Sequence, residues 1–323
     1  MTVHVYKYSD DGAPQLSANS ASLNQIIKAC LVTGYGNKPA AGWQLVYDSQ
    51  ANNPASIEHR ICVRSNDLAS SRTFFEFKKV DFNLYGVAYL EVSAFDTWTD
   101  NHQGLGLINH GALTGINNNS LTGMYMAYHY NLQAPVRVIK WMVIADSKGF
   151  YLLLGVNNNQ STYSIGYFGD YISLNSTRPP VLIAAFSAAN SYNLGGLAAV
   201  SSNNLAAQGR ICLADKKLAA LTSLFVPSYG FGNRYANSAW LQSPATYQMD
   251  AGDVMVFSRP ILTIVGTNMT FVGYLPGLLD CPIQGQGQPI DNCWQHIVDG
   301  DAVLEIPIQA SGTNFINITD WDR

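Results

Sequence analysis

A helical repeat is confined to one stretch of this 323-residue chain, and that confinement limits the folds open to it. Leu23, Ile26, Ile27, Cys30 and Leu31 recur at spacings of three and four, which places them on one face of a helix. Ser22 stands where an N-cap is needed, because its hydroxyl can accept from amides that the first turn leaves unpaired. Gly34-Tyr35-Gly36 stops the repeat, since glycine enters the left-handed region without a steric cost. Ala40-Ala41-Gly42-Trp43 follows, with small residues that let the backbone come close and an indole that has to be buried. With one helix to pack against, the rest of the apolar surface has to be buried by sheets.

The remaining patterning is that of strands. Residues 3–8, 44–47, 57–64, 73–78 and 86–95 alternate or are rich in β-branched and aromatic side chains. Together with the helix they predict an N-terminal α+β domain over residues 1–110. Polar, turn-rich residues 101–119 form the connection. A β-rich domain is expected over residues 111–323, with strands at 125–130, 136–145, 150–156, 163–168, 181–186, 254–265, 270–275, 302–308 and 315–318. Asp146-Ser147-Lys148-Gly149 suits a hairpin turn, and residues 211–224 fit either a strand or a short helix. The expected fold class is α+β, mainly β: one N-terminal helix packed on a small sheet, followed by a larger antiparallel β-rich domain.

Charge narrows the function. Charged residues make up only 12% of the chain, against about 25% in ordinary domains. A surface kept polar by amides and hydroxyls suits a subunit that lies against neighbours, because burying an unpaired charge is far more costly. The net charge of −4 and the lack of a basic run argue against nucleic acid as a partner. Cys30, Cys62, Cys212, Cys281 and Cys293 form an odd, scattered set with no CxxC pair, unlike a secreted disulfide framework. The N-terminal residues lack the apolar core of a signal peptide, and no apolar run reaches bilayer length, so synthesis in a cytoplasm without membrane insertion is expected.

A search for chemistry finds little. The chain has no G-x-S-x-G elbow, P-loop, H-E-x-x-H or strand-borne GxGxxG. Cys281, Cys293 and His296 are the nearest approach to a metal set, but a structural zinc site takes four ligands. Asp250 with Asp253, and Asp299 with Asp301, bracket glycines and read as turns, as does Asp170 in Phe168-Gly169-Asp170. No catalytic, cofactor or metal residue is expected, and the chain does not read as an enzyme. Aromatic residues in polar stretches are a different matter: Trp98, Tyr229, Phe231, Tyr235, Trp240 and Trp321 could anchor an interface or stack on sugars. Tyr229, Phe231, Tyr235 and Trp240 are the preferred interface candidates.

Three stretches carry a resemblance. Asp10-x-Gly12-Ala13-Pro14-x-Leu16, followed by the run Ser22 to Trp43, resembles a "DxGAPxL" turn before "LxxxLxACLVxGYGxKxAAGW" in a family of tailed-phage and prophage virion structural proteins. Trp141 to Leu152, with Tyr167 to Tyr171, is similar to that family's "WxxxADxxxFYL…FGD". Val272 to Leu279 is similar to its "RGxLPGL", with Val272 where the pattern has Arg. The resemblance implies a structural component of a tailed-phage virion, made in the host cytoplasm, most naturally of the tail, baseplate or tail tip. Its partners would be other virion structural proteins and copies of itself. The alternative is a receptor-binding protein, or a capsid or neck decoration, that contacts host-surface glycans.

Overall fold

The structure is a computed structural model and describes residues 2–17, 22–53, 59–82, 87–99, 106–108, 124–129, 139–155, 163–174, 181–187, 208–212, 218–225, 261–265, 269–281, 293, 295–298, 300–306 and 313–321. In chain order, the first part holds β1 (His4–Lys7), α1 (Ser22–Lys28), β2 (Trp43–Asp48), α2 (Ser49–Asn52), β3 (Arg60–Ser65), β4 (Phe74–Phe82) and β5 (Val87–Phe95). Next come β6 (Gly106–Ile108), β7 (Met124–His129), β8 (Trp141–Ala145), β9 (Gly149–Gly155), β10 (Tyr163–Asp170), β11 (Ile172–Ser173) and β12 (Val181–Ser187). The remainder are β13 (Gln208–Cys212), β14 (Leu218–Phe225), β15 (Ile261–Val265), β16 (Met269–Tyr274), β17 (Leu278–Cys281), β18 (Gln295–Val298), β19 (Asp301–Ile306) and β20 (Thr313–Asn317). The protein is mainly β, and its described sheets are antiparallel throughout.

Strands β2-β3-β4-β5-β6 form one sheet, with β7 also on β5; β17-β20-β19-β18 form another. The third sheet has ten strands in the order β1-β8-β9-β10-β12-β13-β14-β15-β16-β11. Its far end returns to its own middle. β11 follows β10 after a single residue, Tyr171, and pairs with β16 at Ile172–Tyr274 and Ser173–Gly273, so the chain that leaves β10 rejoins the far end of the same sheet. β9, β8 and β1 extend the sheet outward from β10.

Residues 22–33 are helical in two parts. α1 passes directly into a π-helical turn at Ala29–Thr33, and the Gly34 N–H bonds back to Ala29 O at 2.8 Å. Gly34 is obligatory here: its φ is +75°, and a Cβ would lie 2.5 Å from Lys38 O. The Ser22 hydroxyl accepts from Ser17 N at 2.8 Å and donates to Ser17 O, so it fastens the preceding segment to the helix.

The core lies between the six-stranded sheet and the β8-β9-β10 part of the large one. Ile61, Val63, Phe75 and Phe77 from β3 and β4 meet Trp141, Val143, Phe150, Leu152 and Phe168, and the helical segment adds Leu23, Ile26, Ile27, Cys30 and Leu31. Trp43 and Phe150 pack edge to face at 5.3 Å, as do Phe77 and Phe168 at 5.1 Å. Each such ring contributes about 1.5–3 kcal/mol by leaving water. β1 is bonded to β8, with His4 opposite Ala145 and Lys7 opposite Met142. Residues on both sides of position 110 therefore share one core.

Candidate functional site

The stretches that carry the resemblance meet around β8 and β9. Asp10 accepts from Lys7 N at 2.8 Å and from the Tyr35 hydroxyl at 2.9 Å, with Lys38 Nζ 3.6 Å away. Lys38 Nζ donates to Val5 O, and the Tyr6 hydroxyl donates to Pro39 O at 2.7 Å. Burial pushes the Tyr6 and Tyr35 hydroxyls well above the usual phenol range, so both act as neutral donors. The turn is then tied to β8, because Trp141 Nε1 donates to Pro14 O at 3.0 Å and Leu16 bridges Ile139. Trp43 Nε1 donates to Asp146 O at 2.8 Å, and the Tyr151 hydroxyl donates to Pro276 O at 2.7 Å. All three stretches are thus joined by buried or half-buried hydrogen bonds.

Beside this junction lies a group of three carboxylates from distant parts of the chain. Asp146 opens the β8–β9 hairpin, and its Oδ1 accepts from Lys148 N and Gly149 N at 2.7 and 2.8 Å. Asp67 sits in the turn between β3 and β4, where Oδ1 accepts from Ala69 N and Oδ2 from the Ser147 hydroxyl, each at 2.8 Å. The amide bond from Ala69 holds the Asp67 carboxyl below the usual range. The Ser65 hydroxyl donates to Ser147 O at 2.6 Å, so the turn grips the hairpin from two sides.

Asp170 completes the group at the end of β10. Oδ2 accepts from Ser71 N at 2.8 Å, and Oδ1 is buried without a hydrogen-bond partner among the described residues. Burial pushes this carboxyl up to about 6, against the lowering effect of its Ser71 bonds. The preceding Gly169 has φ +146°, and a Cβ there would lie 2.4 Å from Gly149 Cα, so β10 can approach the hairpin only with glycine at this point. Asp67 and Asp170 fasten one sheet to the other, while Asp146 shapes the hairpin that Asp67 grips. They are not arranged around a common metal position, since no group of three or more potential ligands is found among the described residues.

The residues singled out by sequence fare differently. Tyr229, Phe231, Tyr235 and Trp240 lie outside the described residues, as do Asp250, Asp253 and Asp299. Asp301 accepts from Asn317 Nδ2 at 3.0 Å within the C-terminal sheet. Cys281 and His296 are on β17 and β18, the two edges of that four-stranded sheet, with two strands between them, so the sheet does not bring them together. His296 instead lies 3.8 Å from Glu305 and packs on Phe315. Trp321 is buried, edge-on to Tyr151 with Nε1 donating to Asn317 O, which corrects its reading as an available aromatic. Trp98 is half-buried, and its Nε1 donates to Glu76 at 2.8 Å. Asp170 is also more than a turn residue, because it crosses to Ser71.

Two features went unnoticed in the sequence. The Asp67–Ser147 grip had a faint signal in the serine cluster Ser65, Ser70 and Ser71, but no spacing rule connects it to residue 147. The other is Asn24, a carboxamide set within the apolar repeat of α1, where short amide side chains are disfavoured. It is buried, and neither its Oδ1 nor its Nδ2 has a hydrogen-bond partner among the described residues.

Against known proteins, no family model matches the chain, and no curated protein is significantly similar to it.

Proposed function

We propose that the protein is a structural component of a tailed-phage virion, placed in the tail, baseplate or tip, and that it works by assembly with other virion proteins and with copies of itself. The resemblance of three ordered stretches to that family is the ground for this reading. One observation supports it: residues of those stretches are one another's hydrogen-bond partners, through Trp141 to Pro14, Trp43 to Asp146 and Tyr151 to Pro276. Motifs that build one shared nucleus are expected to persist together in a family whose shape is its function. The low charge agrees with a subunit that buries much of its surface against neighbours. The finer fold reading, a helix laid on a small sheet ahead of a larger β-rich domain, belongs to the same proposal.

Gold-labelled antibody against the purified chain tests the placement on intact particles by electron microscopy. Label at the tail or its tip is the expected result. Label over the head moves the protein to capsid decoration, and unlabelled particles remove it from the virion.

A further inference from the structure

Two strands at the margins of the sheets finish in opposite ways. β1 lies at one margin of the ten-stranded sheet. Tyr8 N bonds to Trp141 O at 3.1 Å, so alternation turns the main chain of Val5 and Lys7 away from β8. Side chains close those outward groups: Lys38 Nζ donates to Val5 O at 2.9 Å, and Asp10 Oδ2 accepts from Lys7 N at 2.8 Å. Asp10 N donates to Lys7 O at 3.0 Å. Elsewhere β2 is bulged between Leu45 and Tyr47, and β17 carries Asp280. Covering side chains, bulges and charges are the usual means by which a sheet margin is kept from pairing with another chain.

β18 carries no such guard among the described residues. It is a margin of the four-stranded sheet and pairs with β19 in unbroken register, from Gln295–Leu304 to Val298–Asp301. Ile318 N bonds to Ala302 O at 2.8 Å, which turns the Ala302 main chain toward β20. Ile297, opposite Ala302, therefore turns its own N–H and C=O away from β19. No described residue bonds to either group, and the Ile297 side chain is 69% exposed. The strand Gln295-His296-Ile297-Val298 holds no Lys, Arg, Asp or Glu.

We infer that β18 is a pairing edge whose occupant is β18 of a second copy of this chain, antiparallel about a twofold axis at Ile297. Each Ile297 N–H then donates to the C=O of the other copy's Ile297, so one contact satisfies both outward groups. In that register His296 lies opposite Val298 of the other copy, and no like charges meet. The two exposed Ile297 side chains fall on the same face and cover each other. A pair of four-residue strands buries far less than the roughly 1,200 Å² of a stable interface, so two free chains pair with a dissociation constant of about 0.1–1 mM. Copies held close together in one particle would pair more fully. The inference deepens the assembly reading by naming the surface through which copies meet, and it rests on that reading for its role.

The test is sedimentation equilibrium of the full-length chain from about 10 μM to 1 mM, with amide exchange at Ile297 followed over the same range. A monomer–dimer equilibrium is expected, with exchange at Ile297 slowing as dimer forms. Ile297→Pro removes the outward N–H and no bond within the sheet, so the fold is kept. It should weaken the dimer about tenfold or more. Ile297→Lys sets two ammonium groups opposite each other, should weaken the dimer similarly, and serves as the second variant if proline disturbs β18. Two results would overturn the inference: a monomer throughout the range, or unchanged association in a folded variant. Either leaves the virion reading standing, since a subunit can join a particle through another surface. Absence from particles would instead remove the virion reading and leave a solution dimer in place.

Discussion

The two faces of β9 are both buried, but by different chemistry. Phe150, Leu152 and Leu154 face the six-stranded sheet and meet Trp43, Phe77 and Phe168, where shape and area decide the packing. Tyr151 and its neighbour Tyr167 face the C-terminal segment, their rings 4.8 Å apart. There the hydroxyls are pinned, Tyr151 to Pro276 O and Tyr167 to Asp170 O, and Trp321 closes over Tyr151. The apolar face holds the sheets together in proportion to the area buried. The tyrosine face contributes less per residue, but it fixes which backbone carbonyl lies where. A single strand thus serves as core on one side and as a positioning surface on the other.

The largest effect should come from emptying the apolar face. Trp43→Ala removes a buried indole and its bond to Asp146, and should destabilise the fold by about 3–5 kcal/mol in urea unfolding. A loss under about 1 kcal/mol would mean that the sheets are held mainly by something else.

Next comes the carboxylate at the end of β10. Asp170 has a pKa of about 6 when folded against an ordinary 3.8, so the folded state binds the proton more tightly. Its contribution is complete below 3.8 and is lost as pH rises through 6. Unfolding followed from acid to neutral pH should show roughly 2–3 kcal/mol of this loss, and Asp170→Asn should remove the slope. An unchanged slope in the variant would place the titrating group elsewhere.

The smallest effect should come from the tyrosine face. Tyr151→Phe keeps the ring and leaves Pro276 O without its donor, for about 1–2 kcal/mol. The contrast with Trp43→Ala is the informative quantity. If Tyr151→Phe proved as damaging as the indole deletion, the division of labour between the faces would be wrong.

Much of the β character was legible because alternation is a local signal. The strand at Phe150 to Leu154 could be read from its run of large apolar residues, and Asp146 to Gly149 from turn chemistry. Register was not legible. Nothing in residues 3–8 tells that Tyr6 lies opposite Val143, since pairing across such a distance is settled by the whole fold. Of residues 211–224, which fit either a strand or a short helix, the described ones are strand: the last two of β13 and nearly all of β14, each paired on both sides. Trp321 misled for the same reason: a polar sequence neighbourhood says little about a residue buried against Tyr151 and Gly277. Within the helical segment, spacing marks the apolar residues. It does not show that the helix widens to a π turn before Gly34, because i+3 and i+4 patterns cannot register one extra residue in a turn. Of the carboxylate junction, the sequence revealed its turns and not its contacts, which join residues 67, 147 and 170.

The central claim is that this protein is built into a particle. Particles from the lysate of a host carrying this sequence can be purified, digested and quantified by mass spectrometry against their major head protein. A constant ratio of a few to a few dozen copies per particle is the result expected of a tail or baseplate subunit. Complete absence from purified particles, with the chain abundant in the same lysate, would contradict the account.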